Sequence, residues 1–535
     1  MKTKKILLIT SGAYSNDEIA SDFGLLPPSF LPIGHKRLIQ LQVELIKNLD
    51  VNKFLTIPNN YNLSTKDKLF LSSNNINVYR VDPNISLCKS ILNFCISNNV
   101  YDVPSFYILH GDTLFDKISL KDNIIYFAKT DMFYKWGQLD DLNIENVINR
   151  NEIYQYVLSG FFSFKNTAFF IDQLKKSESF EVSLVNYSKK YPFTAIEEQG
   201  WLDFGHSNLY YISKRSLNVT RSFNSAVVKN NHIKKSSNNI FKICNEYEWF
   251  KQIPESLSSY VPSVWDLKNE KKTASYMIEF IGAPTLQEKF VFGNLPELSL
   301  YKIIDNIFDF ISQAKKNYFD EYSSSETRYM LEDLYLKKTR KRVEKFIFKS
   351  KFKRNLDVQI NNKKYVCFDL FVEEVLGVLS NDIKNLSKDF KFSIMHGDLC
   401  FSNILFDSRS NSLKLIDPRG SLNDKSNIKN KLIGDFRYDV AKLGHSMIAN
   451  YDFIVTGFSN ITYDLEKNIF EFNIEKSDFA NIDKYFYKKS SDIGVSKSFL
   501  KASVTNLFLS MLPLHDDDKS RQLSLLINSY KFYYD

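Results

Sequence analysis

Residues 5–10 (KILLIT) hold four consecutive apolar residues bounded by Ser11-Gly12. That pattern predicts a short strand buried on both faces. In residues 35–49, Leu38, Leu41, Leu45 and Leu49 recur at helical spacing, which predicts an amphipathic helix. A second apolar run, VPSFYILHGD, ends in Asp112, and GFFSFKNTAFFIDQL repeats the order of strand and then helix. Alternation of this kind predicts an α/β domain with a largely parallel sheet. Ligands of such sheets sit at the carboxyl ends of the strands, where Asp112 falls. Near residue 215 the pattern changes. The stretch from Arg221, RSFNSAVVKNNHIKKSS, predicts a hairpin turning at Asn230-Asn231. NEYEWFKQI then predicts a helix start and TASYMIEFIG another strand, and after about residue 290 the chain reads as mostly helix. The expected division is an α/β domain over 1–215, a small β-rich lobe over 216–290 and a larger helical lobe over 291–535.

Composition narrows the class. Of 535 residues, 44% are hydrophobic and 25% charged, while Gly (17) and Pro (13) are few. This is the balance of a globular protein, neither collagen-like nor disordered. The net charge of +8 is local: Lys337 to Arg354 holds ten basic residues and one acid, which leaves the remainder near −1. A protein that tracks nucleic acid spreads its basic stripe more widely, so no nucleic-acid partner is expected. The four apolar residues near the N-terminus are too short for a signal-peptide core, and no run approaches 18 apolar residues. Five scattered cysteines lack zinc or redox spacing. They read as reduced thiols in a cytoplasm.

The strongest chemical signal is SIMHGDLCFSNILFDSRSNSLKLID, residues 393–417. It contains His396-Gly397-Asp398, then Asn403 five residues after the Asp and Asp417 fourteen after the Asn. Phosphoryl transfer needs a carboxylate to orient and deprotonate the attacking hydroxyl, and oxygen ligands to hold Mg²⁺ on the phosphates. Asp398 is the expected base, and Asn403 and Asp417 are the expected metal ligands. The stretch resembles the aminoglycoside phosphotransferase and choline kinase family, over roughly residue 220 to the C-terminus. That resemblance implies a two-lobed α+β kinase-like fold and ATP-dependent phosphorylation of a small molecule. A protein kinase more often shows His-Arg-Asp and Asp-Phe-Gly; the second place here reads Asp417-Pro418-Arg419. The small lobe should supply a lysine for the ATP phosphates, Lys234 or Lys235, and a helical acid to hold it, Glu246 or Glu248. Asp439 resembles a position that braces the catalytic loop, and YMIEFIG fits the hinge that holds adenine.

The segment GLLPPSFLPIG, from Gly24 to Gly34, precedes the predicted helix. With Gly111-Asp112 and Trp201-Leu202-Asp203-Phe204-Gly205 it resembles sugar-nucleotide pyrophosphorylases and related cytidylyltransferases, over about residues 4–215. The resemblance implies a Rossmann-like nucleotidyltransferase domain in which Asp112 and Asp203 hold Mg²⁺ against the α-phosphate of a nucleotide. The family's glycine-rich loop with its Arg is missing. Backbone N–H groups of Ser11, Gly12 and Ala13 are the expected phosphate cradle. Ser29 stands where the family has its activating Lys, and Lys36 is the nearest basic residue downstream. His110 and His206 lie near the two acids and read as structural.

Together these expectations describe a bifunctional kinase and nucleotidyltransferase that makes a nucleotide-activated sugar, alcohol or amino-alcohol for a bacterial surface polysaccharide. Its cofactors would be Mg²⁺, ATP as phosphoryl donor, and CTP or another nucleoside triphosphate. Its partners would be a small-molecule acceptor and that acceptor's phosphate. The alternatives are a kinase whose N-terminal domain is degenerate, a glycosyltransferase of similar fold in that domain, and a binding module built from two inactive enzymes. The basic stretch Lys337–Arg354 has three readings: a solvated helical face, neutralisation of a phosphorylated or acidic substrate near the kinase cleft, or association with an anionic membrane. Its apolar strip of Val343, Phe346 or Ile347, and Phe348 or Phe352 suits a core as well as a surface helix.

Overall fold

The computed structural model describes residues 4–130, 138–139, 156–197, 200–219, 226–229, 232–319, 322–386, 390–419, 432–476 and 480–535. The chain divides into two compact units, Met1–Leu217 with Phe292–Asn294, and Asn218–Val291 with Leu295–Asp535.

The first unit is built on a mostly parallel sheet. Its strands run Thr194–Glu197, Ile124–Lys129, Tyr156–Phe164, Phe106–His110, Ile6–Thr10, Asn52–Pro58 and Ile76–Val81 in spatial order. The KILLIT run lies at the centre, with Ile6 to Ile9 in parallel register with Asn52–Leu55 on one side and Phe106–Leu109 on the other. Leu7, Leu8 and Ile9 are fully buried. Leu8 joins Phe94, Ile108 and Phe170 on one face, and Leu7 and Ile9 join Ile39, Val43 and Ile46 on the other. Both faces of a strand in such a sheet are covered, which is why the run shows no alternation.

Two expectations change. Tyr156–Phe164 enters antiparallel to both neighbours, with its register shifting between Leu158 and Phe162; a strand buried on both faces reads the same in either direction. The helix spans Leu38–Ile46 rather than 35–49, because Pro32–Ile33 pairs with Lys36–Arg37 across a turn in which Gly34 has φ 63°. Its most buried face includes Ile39, Val43 and Ile46, while Leu45 and Leu49 are only partly covered.

The second unit begins with the four-stranded antiparallel sheet Ala226–Lys229, His232–Ser237, Ala274–Glu279 and Val264–Asn269. The hairpin forms, with its expected turn Asn230-Asn231 outside the described residues. The following helix is Ile240–Gln252; it starts upstream of NEYEWFKQI because the Asn239 side chain caps it, accepting from the Lys242 N–H. The remainder is mainly helical. It also carries a sheet of Lys363–Tyr365, Val358–Ile360, Ile469–Ile474 and Ser459–Asp464. The basic stretch forms a helix, Lys338–Lys349, with Thr339, Val343 and Phe346 buried. Phe352, beyond its end, packs on Phe368 and Phe470, while Phe348 is 90% exposed. The apolar strip thus faces this unit's own core. Arg340 pairs with Glu373, Lys349 with Asp516 and Arg354 with Asp369. Among the described residues no helix is long and apolar enough to cross a membrane. All five cysteines are free.

Ile108 is fully buried at the sheet centre. Ile108→Ala is expected to lower the first unit's stability by roughly 2–5 kcal/mol, through lost transfer energy and the cavity left behind. Urea unfolding measures it.

Candidate functional sites

In the second unit, strand Phe392–Ile394 leads into a loop whose shape is set by one carboxylate. Asp439 accepts the backbone N–H of His396 at 2.6 Å and that of Gly397 at 2.8 Å. Gly397 has φ 80°, a conformation that glycine adopts without steric cost. His396 is fully buried. Its Nε2 donates to the Ile416 carbonyl (3.0 Å) and its Nδ1 accepts the Asp398 N–H (3.3 Å), which fixes one tautomer. Burial pushes its pKa down to about 4, so it stays neutral.

The Asp398 carboxylate receives Lys442 Nζ at 2.9 Å and Arg419 Nε at 3.1 Å. Burial alone would raise its pKa; Lys442 and Arg419 outweigh burial and hold it well below the usual carboxylate range. Asn403 donates Nδ2 to the Asp398 carbonyl at 2.9 Å, and its Oδ1 accepts a long bond (3.4 Å) from Ser402. Asp417 follows the hairpin Ile404–Asp407/Ser412–Leu415 with φ 58°, an uncommon conformation for a residue with a side chain. Its Oδ1 accepts Lys235 Nζ at 2.7 Å. Lys235 also pairs with buried Glu246, which takes a further hydrogen bond from the Tyr276 hydroxyl. Burial disfavours the Lys235 ammonium, but Asp417 and Glu246 together raise its pKa. Burial raises that of Glu246.

The two registers that the sequence leaves open are separated here. Lys234 is exposed on the opposite face of its strand from Lys235, because side chains alternate. Of the two expected lysines only Lys235 meets Glu246 and Asp417, so Lys234 is not the one held for the phosphates. Glu248 is only half-buried, on a different side of its helix from Glu246. Lys442 and Arg419 were not foreseen. A signal for Lys442 exists: it lies one turn after Asp439 in a helix, Phe436–Met447, whose residues are all buried.

In the first unit, Asp203 sits opposite Thr113 in the ladder of Leu202–Asp203 with Thr113–Leu114, and the Phe204 N–H donates to the Asp112 carbonyl at 2.8 Å. The two acids share one site. A Cβ on Gly205 would lie 2.4 Å from Asp112 Oδ2 and 3.4 Å from Asp203 Oδ1. Burial, then the Asp203 charge, pushes the Asp112 pKa up to about 6. Asp203 accepts from the Gly205 N–H at 2.7 Å and contacts His206 Nδ1 at 2.9 Å, and that hydrogen bond raises the His206 pKa. His110 is buried against Phe162 and Phe180, and burial pushes its pKa down to about 4. Gln42, unremarked in the sequence, donates Nε2 to the carbonyls of His110, Gly111 and Thr113 at 3.0–3.2 Å and so fixes the turn that carries Asp112. Its signal is a polar side chain on the buried face of a helix.

Two expected phosphate contacts need correction. The Ser11 N–H donates to Thr56 Oγ1 at 2.9 Å, which takes it out of the expected cradle. Lys36 is half-buried and pairs with Glu44 at 2.8 Å. Ser29 is buried, with its hydroxyl donating to the Gly111 carbonyl at 3.2 Å.

Among the described residues no three His, Cys, Asp or Glu side chains converge as a complete metal cage. Asp112 and Asp203 lie close enough to share an ion that takes its other ligands from phosphate and water, the usual habit of Mg²⁺, and Asp417 and Asn403 offer oxygen donors of the same kind.

No family model matches the chain, and no curated protein matches it significantly. Solved structures similar to it include both classes resembled in the sequence. An inositol-1-phosphate CTP transferase from T. maritima shares 14% identity at TM-score 0.30, over 42% of this chain and 99% of that one. An aminoglycoside-3'-phosphotransferase of type VIII shares 13% at TM-score 0.30, over 55% and 97%. A thermostable mutant of aminoglycoside phosphotransferase APH(4)-Ia shares 11% at TM-score 0.34, over 60% and 99%. At these identities and scores the likeness assigns no activity, which rests on the residues themselves.

The raised Asp112 pKa carries a sign. Its folded value lies above the unfolded one, so it contributes stability at low pH that is lost as pH rises through about 6. Asp112→Asn removes the buried charge. In EDTA the variant's first unit is expected to exceed wild type by on the order of 1–3 kcal/mol near pH 7.5 and to match it near pH 4, by urea unfolding.

Proposed function

We propose that the second unit is an ATP-dependent phosphotransferase acting on a hydroxyl of a small molecule. The observation that carries this reading is the meeting of Lys235, Glu246 and Asp417 beside the loop of Asp398 and Asn403. Lys235, held by Glu246, binds ATP phosphates. Asn403 and Asp417 hold Mg²⁺, which offsets phosphate charge when bound. Asp398 accepts a hydrogen bond from the acceptor hydroxyl and aims its oxygen at the γ-phosphorus. As that O–P bond forms, the bond from the γ-phosphorus to the ADP oxygen breaks, ADP leaves with the electron pair, and the hydroxyl proton passes to Asp398.

The first unit is read as a nucleotidyltransferase that uses CTP or another nucleoside triphosphate. Asp112 and Asp203 hold its Mg²⁺, and the Gly12 and Ala13 N–H groups cradle its phosphates. A phosphate oxygen of the kinase product attacks the α-phosphorus and pyrophosphate leaves. The pair of reactions yields a nucleotide-activated sugar, alcohol or amino-alcohol, a donor suited to bacterial surface polysaccharide. A cytoplasmic setting agrees with the free cysteines. A second reading is a kinase whose first unit binds nucleotide without turnover. Two observations favour it: Ser29 is buried where the resemblance calls for an activating Lys, and Lys36 is paired with Glu44.

ADP release from Mg-ATP over a panel of small alcohols tests the phosphotransferase. Asp398→Asn is expected to lower acceptor-dependent release by roughly 10²–10⁴-fold. Near-full turnover by this variant overturns the assignment. Asp112→Ala and Asp203→Ala are each expected to stop pyrophosphate release with the phosphorylated product, with ADP release measured alongside. A wild type that releases no pyrophosphate with ATP, CTP, GTP or UTP establishes the second reading.

A further inference from the structure

The second unit holds a cavity of about 450 Å³ that shares no residue with the site of Asp398, Asn403, Asp417 and Lys235. Its walls come mainly from strand Ile469–Ile474, from helices Ala480–Asp492, Lys497–Met511 and Lys519–Tyr534, and from Ile448 and Asn450 just past helix Phe436–Met447. Side chains tie these walls to backbone. Asn361 and the Phe472 backbone exchange two hydrogen bonds of 2.8 Å. Asn528, 4% exposed, donates Nδ2 to the Ala449 carbonyl at 2.7 Å. Asn528 lines the cavity, and among the described residues no donor reaches its Oδ1.

The lining is cationic. Lys476, Lys497, Lys501 and Lys531 face it against two carboxylates, Asp483 and Asp535. Lys497 and Lys501 lie one turn apart on their helix, a spacing at which like charges repel. Exposed Lys497 places its ammonium over the Tyr487 ring at 5.1 Å, and half-buried Lys501 places its own over the Phe532 ring at 6.0 Å. Among the described residues neither forms an ion pair. Asp535 attracts Lys501, but it already receives Lys363 Nζ at 2.6 Å and has Lys531 at 3.9 Å. Burial and then Lys497 prevail, and the Lys501 pKa falls. Lys497 is also the first residue of its helix, where the backbone carries a positive partial charge. Crowded cations partly withdrawn from water are relieved when an anion settles between them.

We propose that this cavity binds a phosphate monoester of sugar or nucleoside size, at a site apart from the phosphotransfer loop. Its phosphate lies between the ammonium groups of Lys497 and Lys501. Among the described residues no Arg lines the cavity, and point-like ammonium groups suit a phosphate, whereas a planar carboxylate is better met by the guanidinium fork. The volume is that of a small-molecule pocket, far more than a bare phosphate ion needs. The organic part fills the remainder, with a hydroxyl donating to Asn528 Oδ1 and apolar edges against Tyr487 and Phe532. The site does not rest on the phosphotransferase reading, and its failure leaves that reading as it stands.

The first test is competitive lysine acylation of the full chain, read residue by residue by mass spectrometry. The probes are glucose 6-phosphate, glycerol 3-phosphate and CMP, with glucose as the neutral control and inorganic phosphate as the bare anion. At least one ester is expected to slow acylation of Lys497 and Lys501 while Lys341 and Lys345, exposed on the basic helix, keep their rates. Glucose at the same concentration should protect neither. No protection by any ester, or equal protection by glucose, overturns the site. Inorganic phosphate as protective as the best ester shows an adventitious ion only and overturns it as well. The second test is calorimetric titration of the best ester into the full chain. Lys497→Met with Lys501→Met is expected to weaken its binding by at least about tenfold, the factor carried by one charge-assisted hydrogen bond, whereas Lys341→Met with Lys345→Met leaves it unchanged. An affinity that survives the Lys497/Lys501 double variant places the ester elsewhere and overturns the proposal.

Discussion

The geometry of the second unit hangs on one buried carboxylate. Asp439 takes two successive N–H groups, of His396 and Gly397, from a loop that would otherwise leave them without partners in the interior. That fixes the direction in which the chain leaves strand Phe392–Ile394, and with it the positions of Asp398 and, through the Asp398 carbonyl, Asn403. The small lobe is tied to the same loop. Trp249 donates Nε1 to the Met395 carbonyl at 2.9 Å, and Glu246, one turn earlier on the same helix, holds Lys235. A single helix therefore couples Lys235 to the loop that carries Asp398.

Local spacing made this loop legible. The intervals between Asp398, Asn403 and Asp417 are set by a tight turn and a hairpin, both short-range structures that a sequence displays directly. The cations on Asp398 were not legible. Lys442 and Arg419 reach it from a helix and a segment whose meeting is a tertiary event. The choice between Lys234 and Lys235 needed strand register, because one residue's slip exchanges the two faces. In the first unit the acids at strand ends were legible for the reason that places ligands there. The Ser11 N–H was over-assigned because its partner, Thr56, lies on the neighbouring parallel strand, and the direction of Tyr156–Phe164 left no trace in its composition.

The charge run Lys337–Arg354 shows how a compositional signal divides once folded. Its apolar members Val343, Phe346 and Phe352 became core, and Arg340, Lys349 and Arg354 entered ion pairs at the surface. Such exposed pairs contribute little, because water and salt screen them and holding two long side chains costs entropy. Net charge alone could not distinguish these residues from Lys338 and Arg342. Only the half-burial of that pair, one helical turn apart, sets it off.

If the second unit is the phosphotransferase proposed above, the clamp of Lys442 and Arg419 on Asp398 bears on the timing of that reaction. A carboxylate with so little affinity for protons cannot drive deprotonation of a hydroxyl at the outset. It can only align the nucleophile while the terminal phosphoryl group loosens from its leaving oxygen. The hydroxyl becomes acidic once its new bond to phosphorus is well advanced, and at that late stage even a weak base suffices. On that reading the loop suits a path in which the hydroxyl is aligned first and loses its proton late, and the two cations keep the carboxylate charged in mild acid.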